Sequence, residues 1–98
     1  MSWLATVLLM ITGAGCERSP QVSFENLKYI AAIRTACSAQ DAAMLENVKS
    51  VVEKDRLQGA ISEQEWNSYQ TIIGIAEGGD WKAGERACHE FQAAQFAK

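Results

Sequence analysis

The chain is poor in the residues from which catalytic and nucleic-acid-binding sites are built. Its 98 residues include one histidine, one proline and three cysteines, and 9 Lys and Arg stand against 12 Asp and Glu. A net charge of −3 with no basic cluster excludes nucleic acid as an expected partner, because phosphate binding relies on gathered Lys and Arg. There is no Gly-x-Ser-x-Gly elbow, and Gly78-Gly79 lack the following Lys of a phosphate loop. Without a nucleophile placed beside a base, the chain reads as a non-enzyme. His89 follows Cys88 directly, but no Cys-x-x-Cys precedes it, so a c-type haem is ruled out. Cys37, Cys88 and His89 also fall short of the roughly four ligands of a structural zinc site. No cofactor or metal is therefore expected.

Charge is also missing in one place in particular. Residues 1–16, MSWLATVLLMITGAGC, hold no Asp, Glu, Lys or Arg, so every charged side chain lies in residues 17–98. An apolar run over residues 3–11 leads into the small residues Thr12, Gly13, Ala14 and Gly15 and then Cys16. Small side chains suit the cleavage site of an export signal. At about 1.5 Å per residue, residues 3–15 would make a helix of only about 20 Å, too short for a hydrocarbon core of about 30 Å.

Gly13, Ala14, Gly15 and Cys16 make the segment similar to the lipobox signal of bacterial lipoproteins, in which the cysteine becomes the first mature residue and carries a diacylglyceryl group. Gly13 stands where that pattern usually has an aliphatic residue. The resemblance implies a signal peptide over residues 1–15 and a lipidated Cys16; the stretch up to residue 22, with the only proline and no periodicity, then reads as a tether over 16–22 ahead of a helical domain over 23–98. It also implies a membrane partner through the lipid, and a location in the cell envelope facing the periplasm or cell exterior.

From Ser23 onward the chain divides by cap signals into four helical segments, and no stretch alternates as a strand would. The expected fold is all-α, a small three- to four-helix antiparallel bundle. The first helix, over residues 24–37, would present Leu27, Ile30, Ile33 and Cys37 on one face, with Ser23 as cap. The second would start after Ser38, whose spacing to Asp41 imitates a capping box. It would turn Met44, Leu45, Val48, Val51 and Val52 inward and stop near Gln58, ahead of Gly59. The third has the fullest signature, with Ser62 capping Glu65, Glu65 reaching back to the Ser62 amide, and Ile61 stapled to Trp66. Asp80 would cap the fourth, whose stripe is Trp81, Gly84, Cys88, Phe91 and Gln95.

The run LQGAISEQEW resembles the short helical-hairpin module called SHOCT, which implies oligomerisation or partner contact. The stretch AEGGDWKAGERACHEF resembles a tetratricopeptide turn, although one copy cannot build a solenoid. With Cys16 lipidated, an even pair of cysteines remains for an oxidising compartment, and Cys37 and Cys88 both lie on core-facing stripes. A Cys37–Cys88 disulfide is therefore expected.

Trp66, Tyr69 and Trp81 are the candidate partner-contact residues, although aromatics at helical spacing are more often core. The resulting expectation is a non-catalytic structural or protein-interaction module with an unknown envelope partner, or a homodimer. Two alternatives are open at this stage. One is a secreted thiol-redox or small-ligand protein using Cys37 and Cys88, and the other is a cytosolic helical adaptor with an uncleaved N-terminus.

Overall fold

A computed structural model describes residues 20–96; the expected signal over 1–15 and the lipidation site Cys16 lie outside the described residues. A short 3-10 turn, Phe24–Asn26, leads into four α-helices: α1 Leu27–Ala39, α2 Ala42–Leu57, α3 Glu63–Glu77 and α4 Trp81–Phe96. The described residues contain no strand, and the fold is the all-α bundle that the cap signals indicate. The connections are short, so neighbouring helices run antiparallel.

Each helix packs on its neighbours in chain order, and α4 closes the bundle on α1, the most extensive of the interfaces. Helices α1 and α3 also touch across the diagonal, whereas α2 and α4 do not meet. This arrangement makes α1, α3 and α4 the core and leaves α2 the least covered helix. Leu45 and Val52 are its only buried side chains, with Met44 and Val48 half-buried and Val51 exposed.

The helix ends follow local chemistry. Ser62 Oγ accepts from the Glu65 amide (3.1 Å), and Asp80 Oδ1 accepts from the Ala83 amide (3.2 Å). Gly59 and Gly79, at φ 85° and 96°, take the left-handed conformation at the ends of α2 and α3. Two expected caps differ. Ser23 begins its turn through its carbonyl, which accepts from the Asn26 amide, and its hydroxyl makes no cap bond. Ser38 remains inside α1, and Asp41 caps α2 instead, accepting from the Met44 amide at 3.0 Å. Gln40 makes that shift possible by adopting φ 52°, so that the Asp41 amide can return to the Ala36 carbonyl.

Candidate functional site

Three arrangements bring chemistry-bearing side chains together, and each joins parts of the chain that are distant in sequence. The first is the thiol pair. Cys37 comes from the last turn of α1 and Cys88 from the middle of α4, and both are almost wholly enclosed. The two thiols lie near enough for each to shift the ionisation of the other. The expected disulfide is not formed, however, and both are free thiols in this structure. The Cys37 sulfur lies against Gly84, where an added Cβ would stand 3.0 Å from it. Part of the space between α1 and α4 is thus occupied by sulfur packed over a bare glycine.

Burial, followed by the neighbouring Cys37, pushes the Cys88 thiol up to about 12, and burial also pushes Cys37 upward. A reactive thiol needs the opposite setting, with nearby positive charge and access to solvent.

The second arrangement surrounds Glu65, a carboxylate only 6% exposed. Asn26 Nδ2 donates to Glu65 Oε2 at 3.0 Å, and the Tyr69 hydroxyl donates to the same oxygen at 3.0 Å. Asn26 Nδ2 also donates to the Ala60 carbonyl, which ties the N-terminal turn to the α2–α3 loop. No cation pairs with Glu65 among the described residues. Its expected return bond to the Ser62 amide is replaced by these two buried donors. Beside it the Tyr29 hydroxyl donates to Asp55, while Tyr29, Tyr69 and Phe91 stack in tilted pairs at 5.9 and 5.7 Å. Burial pushes both tyrosine hydroxyls upward, Tyr29 to about 12.

The third arrangement is a clamp on the tether. Gln95, buried on α4, accepts from the Val22 amide through Oε1 (3.0 Å) and donates through Nε2 to the Pro20 carbonyl (2.9 Å). Gln21 adds a bond from Nε2 to the Ala94 carbonyl. Residues 20–22, expected to be a free linker, are therefore fixed along the end of α4. A polar residue in an otherwise apolar stripe is the sequence signal for such a clamp, since a buried amide must find partners.

The candidate contact residues separate. Tyr69 is completely buried and offers no surface to a partner, because its hydroxyl is satisfied inside the core by Glu65. Trp66 and Trp81 are half-buried, and the Arg56 guanidinium covers the Trp66 ring at 4.7 Å while reaching Glu63. Sequence reasoning missed a shallow apolar groove of about 360 Å³ between α1 and α2, lined by Lys28, Tyr29, Ala32, Asn47, Val48 and Val51. His89 is exposed beside Arg34, Lys82, Glu85 and Arg86. Among the described residues no three His, Cys, Asp or Glu side chains gather as metal ligands. Comparison with protein-family models, with curated proteins and with solved structures gives no match for this chain.

Proposed function

We propose that this chain is a small lipid-anchored protein of the cell envelope, whose helical domain acts as a non-catalytic structural or protein-interaction module. The observation that carries the reading is the charge-free segment over residues 1–16 ending in Gly13-Ala14-Gly15-Cys16. The placement of the polar side chains supports the second half of it. Glu65, Asn26, Gln95 and the Tyr29–Asp55 pair are all engaged in holding elements together. The apolar groove between α1 and α2 would suit the side chains of a partner protein.

In an oxidising compartment the Cys37 and Cys88 thiols close into a disulfide. An envelope disulfide oxidant takes up the two electrons, and the two thiol protons pass to solvent. Their burial in one core, near enough for each to shift the ionisation of the other, supports this pairing. It would act as a structural brace, since burial and the upward push on both thiols work against a redox-exchange role.

The mass of the native N-terminus tests the reading. A chain beginning at diacylated Cys16 is the expected result. An intact Met1 or Ser2 would overturn it in favour of an uncleaved protein, and a cleaved chain without lipid would leave only the exported form.

A further inference from the structure

The antiparallel order gathers the N-terminal turn, the α2–α3 loop and the end of α4 at one end of the bundle. The Asn26 bond to Ala60 and the Gln95 bonds to residues 20–22 tie these three pieces together. Large apolar side chains collect there. Phe24 is 89% exposed, Leu57 82% and Phe96 73%; the remaining exposed large hydrophobic among the described residues, Val51, lies on the α1–α2 flank. Single exposed apolar residues are ordinary on any protein. These three, however, come from three separate chain segments and stand at the same end, the one from which the tether leaves. The opposite end, around Gln40 and Gly79, exposes no large apolar side chain among the described residues.

Tether length gives this end its occupant. Cys16 precedes Pro20 by four residues. At no more than about 3.6 Å per residue, these span at most about 14 Å. The 16-residue α4 is about 24 Å long. Because Gln95 fixes residues 20–22 to the bundle, a lipid on Cys16 holds this end near the bilayer, and the tether is too short to let the far end take its place.

A second copy of the chain is the weaker fit. The three side chains expose together on the order of 500 Å², below the roughly 800 Å² that each partner gives to a stable interface.

We propose that the bundle stands end-on against the membrane that anchors it, with Phe24, Leu57 and Phe96 seated in the headgroup–acyl boundary. This rests on the lipid-anchor reading and adds an orientation to it. Two acyl chains already hold such a protein in place, so the three side chains set the angle of the bundle and direct the Gln40–Gly79 end away from the bilayer.

The test uses the full chain expressed in bacterial membranes, with photoreactive benzoylphenylalanine in place of Phe24, Leu57 or Phe96, or at the control positions Ala43 (opposite end) and Val51 (flank). Intact mass reports both the lipid on Cys16 and any photo-adduct, and circular dichroism checks that each variant is folded. Phospholipid adducts at positions 24, 57 and 96, several-fold above positions 43 and 51, are expected. Equal or absent lipid adducts in chains that carry diacylated Cys16 would overturn the end-on orientation and leave the anchor standing. Adducts of doubled protein mass at the three positions would give this end to a second copy and also overturn it. A folded chain with no lipid on Cys16 would remove the anchor and this proposal with it.

Discussion

Replacing Gly84 with Ala sets two effects of similar size against each other. Glycine inside α4 costs about 1 kcal/mol relative to alanine in helix propensity, so on backbone grounds Gly84→Ala stabilises by that amount. The new methyl would stand 3.0 Å from Cys37 Sγ, 3.4 Å from Ala76 Cβ and 3.7 Å from Ala76 Cα. Comfortable carbon contacts begin near 3.5–4.0 Å, so the Ala76 contacts are nearly tolerable and the sulfur must retreat by roughly 0.5 Å or more. It has little room to do so, being almost wholly enclosed, with the buried Cys88 thiol nearby. Overpacking of this kind costs about 1–3 kcal/mol. The expected net effect in the reduced protein is a destabilisation of up to about 2 kcal/mol.

Cys37→Ala removes the sulfur. In that background Gly84→Ala should become stabilising by about 1 kcal/mol, because the methyl then enters vacated space. Urea unfolding of the four proteins of this cycle, under reductant so that no bridge contributes, gives a coupling of about 1–3 kcal/mol if the contact decides the sign. Equal stabilisation by Gly84→Ala in both backgrounds would refute the argument and show that α1 and α4 separate freely at this point.

The remaining predictions concern the buried polar groups. Glu65→Leu removes the oxygen that two buried donors share, and should lower stability by about 1–3 kcal/mol in the same urea assay; a loss below about 0.5 kcal/mol would mean that Asn26 and Tyr69 find water instead. Alkaline pH should destabilise the reduced chain. The Cys88 thiol ionises near 9 when unfolded but is held protonated up to about 12 in the fold. Its contribution is therefore complete below pH 9 and is lost as pH rises toward 12, at about 1.4 kcal/mol per pH unit. Tyr29 adds the same sign of slope from its ordinary 10 up to about 12. The double variant Cys37→Ala with Cys88→Ala should show a flatter stability profile between pH 9 and 10, and a slope identical to that of the parent would contradict this assignment. Finally, the folded, reduced chain should react with iodoacetamide far more slowly at Cys37 and Cys88 than the urea-unfolded chain; rapid native labelling would return the thiol-redox reading to first place.

How far the fold could be read from the sequence depended on how far each residue's partner lies along the chain. Ser62, Asp80, Gly59 and Gly79 act within one helical turn, and each does in the structure what its local pattern indicates. The four-helix order and most of the inward faces follow from them. Gln95 and the thiol pair could be placed on core-facing stripes, but their partners stand 75 and 51 residues away in sequence. No local pattern reports such contacts. Val51 was misplaced for a related reason. Helical spacing shows which side chains share a face, but the facing helix decides how wide a face is covered, and α2 has the least cover.

Glu65 is the sharpest case, because a local rule and a tertiary demand compete for the same carboxylate. The capping box would direct it to the Ser62 amide, but Ser62 is exposed, and water can satisfy that amide at little cost. Asn26 and Tyr69 are buried, and donors left unsatisfied there would cost about 1–3 kcal/mol each. The carboxylate therefore turns inward, where charge-assisted hydrogen bonds from buried donors are worth more than a bond that solvent can replace. By doing so it joins the N-terminal turn to α3, while Asn26 reaches the α2–α3 loop through Ala60. One carboxylate thus gives up half of a helix cap to unite the end of the bundle from which the tether emerges.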